Sequence, residues 1–180
     1  MHKEFRLSGT GGQGVIMLGV ILAEAAISSG LNAVQSQSYG PEARGGASRC
    51  EVIIAEDVID FPKVQHPNYV LCLSQPAADK YAKDLSPETE LILDDGIELK
   101  VHPGTDHIHR LPILKTARHD IGKEITANIV SLGVLLEVTK LLDKQVLIDA
   151  VLHRVPKGTE TLNINAIEAG IELVNEHKEK

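Results

Sequence analysis

Apolar and polar positions fall in short blocks through the first two thirds of the chain and change to helical spacing in the last third. Residues 3–8 read as a first strand. Residues 12–29 read as a helix with Val15, Leu18, Leu22, Ala25 and Ala26 along one side, closed at Ser28-Ser29-Gly30, where Gly30 suits a C-terminal cap. Residues 31–36 and 49–55 are predicted strands. A fourth strand over 68–73 is apolar without alternation, so it is expected to be buried on both faces. A short helix over 75–85 ends at Ser86-Pro87, a fifth strand over 89–93 stops at Asp94-Asp95-Gly96, and a sixth is expected over 109–114.

The last third is helical throughout. Residues 121–142 carry Ile125, Ile129, Val130, Leu132, Val134, Leu135, Leu136, Val138 and Leu141, which predicts one long helix apolar on more than one side. Such a helix is either sandwiched inside its own domain or partly turned toward another subunit. A further helix follows over 144–153. Val155-Pro156-Lys157-Gly158 breaks the chain, and a last helix over 163–177 presents Ile164, Ile167, Ile171 and Val174 at helical spacing.

Between the first strand and the first helix lies Leu7-Ser8-Gly9-Thr10-Gly11-Gly12-Gln13-Gly14-Val15. Gly9, Gly11 and Gly14 satisfy G-x-G-x-x-G in the required strand-to-helix context, where glycines permit a tight turn and close approach of a ligand. The helix N-terminus that follows suits phosphate or carboxylate. Two features hold it back from a nucleotide fingerprint. The second strand ends around Gln35-Ser36-Gln37 without the acidic residue that would hold a ribose hydroxyl, and Val15 and Ile16 stand where a phosphate-cradling loop would need Lys and Ser or Thr. The fold class expected is α/β: a three-layer Rossmann-like domain with a mostly parallel sheet and a helical C-terminal third. No internal repeat or linker divides residues 1–180, so a single domain is expected.

A second unusual stretch, Ser36-Gln37-Ser38-Tyr39-Gly40-Pro41-Glu42-Ala43-Arg44-Gly45-Gly46-Ala47-Ser48, is too rich in Gly and Pro for a helix or a central strand. It leaves the carboxyl end of the second strand, where ligands bind in open α/β sheets, and it carries Tyr39, Glu42 and Arg44.

Composition removes several function classes. A net charge of −7 and 3% aromatic residues without Trp argue against nucleic acid as a partner. Thr126, Asn128, Ser131, Glu137 and Lys140 interrupt the apolar helix around Ile125–Leu142, so no membrane span is expected, and Met1-His2-Lys3-Glu4 shows no secretory pattern; a cytoplasmic location is expected. The two cysteines, Cys50 and Cys72, lie in separate strands and form no C-x-x-C, so neither an iron–sulfur cluster nor a cysteine-type zinc site is expected here. His107 and His109 alternate on an extended segment below His102 and could share one face toward a metal, but no third ligand stands at motif spacing. No G-x-S-x-G elbow and no paired carboxylates appear, and Asp94-Asp95 reads as a turn. No catalytic residue is therefore assigned.

Gly9-Thr10-Gly11-Gly12-Gln13-Gly14-Val15 followed by Ser38-Tyr39-Gly40-Pro41-Glu42-Ala43-Arg44-Gly45-Gly46 resembles the gamma subunit of 2-oxoacid:ferredoxin oxidoreductases, and the later Lys157-Gly158-Thr159 before a helix agrees with it. The form of the second motif is most similar to the 2-oxoglutarate branch, with pyruvate and branched-chain enzymes as close variants. The resemblance implies a complex that converts a 2-oxoacid and coenzyme A to acyl-CoA and carbon dioxide while reducing ferredoxin. It implies thiamine diphosphate, magnesium and iron–sulfur clusters on the partner subunits, none bound tightly by this chain, and coenzyme A as a substrate. The implied partners are alpha, beta and ferredoxin-like delta subunits, with ferredoxin as acceptor; the isolated chain is expected to be inactive, with room for a homodimer. Gly9, Thr10, Gly11, Gly12, Gln13, Gly14, Tyr39 and Arg44 are the expected binding residues, on the coenzyme A side of the active site. A purely structural assembly subunit and a stand-alone Rossmann-like nucleotide-binding protein are the alternatives.

Overall fold

The computed structural model describes residues 1–38 and 46–178. In chain order its elements are β1 (His2–Thr10), α1 (Val15–Ser28), β2 (Asn32–Ser38), β3 (Ala47–Ala55), β4 (Tyr69–Cys72), α2 (Gln75–Tyr81), β5 (Glu90–Asp94), β6 (Ile108–Leu111), α3 (Ile113–Lys115), α4 (Ala127–Thr139), α5 (Lys144–Arg154) and α6 (Glu160–Lys178). The strands form one sheet in the order β2-β3-β1-β4-β5-β6. β1, β4, β5 and β6 run parallel, whereas β3 is antiparallel to both β1 and β2. The α/β architecture is as expected, and the antiparallel margin has a simple cause. The connection from β2 to β3 is shorter than the dozen or so residues that a parallel crossover needs.

Side chains alternate between two cores. On one face Phe5, Leu7, Cys50, Val52, Ile54, Leu71 and Ile92 pack under α1, α4, α5 and α6. On the other, Val70, Cys72, Leu91 and Leu93 pack against Ala77 and Ala78 of α2 and Ala82. The continuous apolar run in β4 thus supplies both faces, as its pattern predicts.

Helix α4 is buried along its length, from Ala127 to Glu137. The sandwiched reading of this all-apolar helix therefore holds. Its neighbour α6 crosses it at two glycines. A Cβ on Gly133 would stand 2.1 Å from the Ile167 carbonyl oxygen, and one on Gly170 would stand 2.1 Å from the Val130 carbonyl oxygen. Only the absence of side chains lets the two backbones approach this closely.

Several boundaries differ from the sequence pattern, two of them for a clear local reason. The expected helix over 121–142 begins only at Ala127, because Gly122 takes φ +82° and Lys123 is extended. A π turn (Thr116–Asp120) and a 3-10 turn (Glu124–Thr126) precede it, and Ile125 is 70% exposed rather than in the core. The sixth strand stops at Leu111 because Pro112 follows and Ile113 already starts α3. Asp94 forms the expected turn, with its carbonyl accepting from the Ile97 N–H at 3.1 Å, but its carboxylate does more. It is buried and accepts from the N–H groups of Leu114 (2.8 Å) and Gly96 (3.2 Å), tying the end of β5 to α3. Burial pushes its pKa above the usual carboxylate range, and those N–H bonds oppose the shift.

Both thiols are buried, on opposite faces of the sheet. Gln35 Nε2 donates to Cys50 Sγ at 3.1 Å, and Ser8 Oγ lies 3.4 Å from Cys72 Sγ. Burial raises the pKa of Cys50 and pushes that of Cys72 up to about 12.

Two predictions rest on this packing. Gly133→Ala and Gly170→Ala should each destabilise the fold by about 1–3 kcal/mol in urea unfolding, whereas Gly11→Ala, which meets no atom within 4 Å, should change it by less than about 0.5 kcal/mol. In thiol titration at about pH 8, the folded chain should leave both cysteines unreacted and the unfolded chain should release two thiols. A thiol that titrates in the folded chain would contradict the burial described.

Candidate functional site

β1 and β4 are parallel neighbours, yet the helices that follow them pack on opposite faces of the sheet, α1 with the larger core and α2 with the smaller. Such a reversal opens a crevice at the carboxyl ends of the two strands. The glycine loop sits at that point.

Its residues divide into two sets. Gly9 and Thr10 still belong to β1 and pair with Ser48 and Ala47 of β3. A Cβ on Gly9 would fall 2.5 Å from Gln13 Oε1 and 2.9 Å from Val15 Cγ2, so a side chain here would displace Gln13 from its two hydrogen bonds. Gln13 is a brace. Its Oε1 accepts from the Thr10 N–H at 2.7 Å, and its Nε2 donates to the Leu73 carbonyl at 3.1 Å, joining the ends of β1 and β4 across the crevice. Gly14 is the N-cap of α1 at φ +69°, ψ 23°, and a Cβ there would meet Asn128 Nδ2 at 2.5 Å.

Gly11 and Gly12 are different. Both are exposed, and a Cβ on either would meet no atom within 4 Å. Gly12 has φ +90°, so its backbone shape also favours glycine. Just beyond, α1 begins with no side-chain cap and no acidic residue in its first turn. The first-turn N–H groups have no intrahelical acceptor, and the dipole makes this end positive. An open backbone beside an uncapped helix start can bind an anionic group without any charged side chain.

The register also fixes where β2 ends and β3 begins. Ser38 pairs with Arg49 and Ala47 pairs with Thr10, so the segment between β2 and β3 leaves and rejoins the sheet on the same side as the glycine loop. Tyr39, Glu42 and Arg44 themselves lie outside the described residues.

Two of the three candidate histidines take carboxylate partners. His109 Nε2 lies 2.7 Å from Glu90 Oε2, and His102 Nε2 lies 3.2 Å from Asp106 Oδ1. Among the described residues no three His, Cys, Asp or Glu side chains group as metal ligands. The same residues include no helix long and apolar enough to cross a membrane.

Asn128 is the residue that the sequence pattern does not single out. It is 7% exposed, its Nδ2 donates to the Gly14 carbonyl at 3.4 Å, and it connects the start of α4 to the start of α1. Its only sequence signal is that a carboxamide interrupts an otherwise apolar run.

Residues 4–173 match the pyruvate ferredoxin/flavodoxin oxidoreductase family. The 2-oxoglutarate synthase subunit KorC of Methanocaldococcus jannaschii is 46% identical over 179 residues, covering 98% of this chain and 96% of that protein. The solved gamma subunit of a keto/oxoacid ferredoxin oxidoreductase from Geobacter sulfurreducens is 44% identical, with a TM-score of 0.88 and 98% of both chains covered. The fold recurs, at 19% identity and a TM-score of 0.85, within 31% of a longer chain of the Magnetococcus marinus 2-oxoglutarate:ferredoxin oxidoreductase, solved with 2-oxoglutarate, coenzyme A and succinyl-CoA bound. Over nearly its whole length this chain therefore belongs to the pyruvate ferredoxin/flavodoxin oxidoreductase family and is similar there to gamma-type subunits of the 2-oxoglutarate branch.

Proposed function

We propose that the chain is the gamma subunit of a 2-oxoglutarate:ferredoxin oxidoreductase, which takes 2-oxoglutarate, coenzyme A and oxidised ferredoxin to succinyl-CoA, carbon dioxide and reduced ferredoxin. The relative named as a 2-oxoglutarate synthase subunit supports the choice of substrate. Alpha, beta and ferredoxin-like delta subunits are the proposed partners. Thiamine diphosphate with magnesium, which supplies the decarboxylation chemistry, and the iron–sulfur clusters belong to those partners in this reading. The donor set of this chain agrees, since its two cysteines are buried on opposite faces.

The observation that carries the role of this chain is the open Gly11-Gly12 backbone at the β1–β4 reversal. In the proposed complex those N–H groups and the start of α1 hold a phosphate of coenzyme A. Gln13 keeps the loop in shape by joining β1 to β4. Arg44 supplies a charged contact to the same group, and Tyr39 a stacking or hydrogen-bonding one. The chain thus orients the acyl acceptor and closes that side of the active site, while bond making and breaking occur on the partner subunits.

Arg44→Ala and Gly11→Val test this in the assembled complex. Loss of one charge-assisted contact, about 1.5–3 kcal/mol, should raise KM for coenzyme A about tenfold or more. The KM for 2-oxoglutarate should stay unchanged. An unchanged KM for coenzyme A in both variants, with the complex intact, would remove this loop from acceptor binding.

A further inference from the structure

Arg49 stands on β3 opposite Ser8 of β1 and Ser38 of β2. Strand alternation puts it on the α2 side of the sheet, since Cys50 and Val52 belong to the core under α1 and Ala47 to the core under α2. A guanidinium has five N–H donors, and among the described residues none of those on Arg49 makes a hydrogen bond. Its Nε is sealed from water as well, the one such unpartnered side-chain nitrogen or oxygen among those residues. The carboxylate beside it, Glu51, lies 3.7 Å from Arg49 Nη1 and already accepts from Arg6 Nε at 2.8 Å. Two guanidinium groups thus share one buried carboxylate.

The Arg49 guanidinium lies 5.6 Å from the centroid of the Tyr81 ring, and Lys80 Nζ lies 5.4 Å from the same centroid. Arg6, Arg49 and Lys80 thus surround a single anion, Glu51, in a chain whose net charge is −7. A half-buried guanidinium without a hydrogen bond is costly to keep, and the group that completes it best is an oxyanion accepting from two N–H groups at once. The Arg49 side chain is 30% exposed, so that oxyanion can come from outside the chain.

The surroundings of Arg49 point to a protein as its source. α1 covers β2 from the opposite face, whereas α2 lies over β1 and β4 and only partly over β3. β2 is also a free edge of the sheet. Its seven residues, Asn32–Ser38, include no charge and no proline, and they pair with β3 without a bulge. The other edge, β6, has four residues, includes Arg110 and is followed by Pro112. Edges that face water are usually blunted as β6 is; a longer, uncharged edge is the kind that a protein partner covers. We propose that the α2-side margin of β2 and β3 docks a partner subunit of the complex, which presents an Asp or Glu carboxylate to Arg49 in a two-bond pairing. The proposal rests on the multi-subunit reading given above and adds the face and the charge that hold a partner there.

The test uses the tagged full chain, purified with its partner subunits without oxygen. With Arg49→Met the partner subunits should leave the tagged chain about tenfold faster on washing, and Arg49→Glu, which reverses the charge, should leave none bound. By itself the Met variant should unfold at no lower temperature than the unaltered chain, because it loses no hydrogen bond, and its assembled fraction should keep its KM for coenzyme A and for 2-oxoglutarate. A Tm lower by about 4 °C or more in the isolated chain would make Arg49 an internal strut and overturn the proposal. A raised KM with the partners retained would mark a small-anion site and overturn it as well. If both variants hold their partners as the unaltered chain does, Arg49 docks nothing, and the proposed function survives. If the unaltered chain brings down no partner subunit, the proposed function fails and the docking face with it.

Discussion

β1 has to serve two neighbours that run in opposite directions. It pairs antiparallel with β3 on one side and parallel with β4 on the other. The hairpin margin and the parallel half of the sheet meet along this strand. At its carboxyl end the chain must leave the sheet at once and enter α1 on one face, while β4 sends α2 to the other. Little space is available for the turn, so a Cβ at Gly9 would displace Gln13 and one at Gly14 would displace Asn128, and one carboxamide, Gln13, spans the gap. The exposed Gly11-Gly12 backbone is what remains open once those demands are met.

The helical layer depends on a second close approach. α4 is apolar on every side and needs cover on every side. α6 provides part of it only because Gly133 and Gly170 let two backbones meet. α5 is then tied back to α1 by Arg154, whose Nε donates to Glu24 Oε2 at 2.9 Å and holds that carboxylate below its usual pKa range. The start of α4 is consequently fixed against the start of α1 through Asn128 and Gly14. The site thus has a floor made by elements far apart in sequence.

Much of this was legible in the chain. Strand positions follow from short apolar blocks, and the glycine loop announces a strand-to-helix turn whose residue types permit an anion. The misread parts have physical causes. An apolar pattern runs across Gly122, and periodicity alone does not register that a glycine at positive φ interrupts the helix, so the pattern predicts one helix through Ile125, which instead stands exposed ahead of α4. Spacing gives strand order poorly, so the antiparallel margin emerges only from pairing. Asn128 and Asp94 become informative only when distant segments are brought together. Tyr39 and Arg44 lie beyond the described residues, so their part in the site rests on resemblance and on where β2 and β3 end.

In the proposed function this chain works as one subunit of a ferredoxin-reducing complex. The most direct measurement is an anaerobic pull-down of the tagged chain from its native cells, with mass spectrometry of the eluate and an assay for dye reduction driven by 2-oxoglutarate. The expected result is co-elution of a thiamine-binding chain and a cluster-binding chain, with reduction that depends on coenzyme A. A chain that elutes alone or only with copies of itself, without that activity, would contradict it.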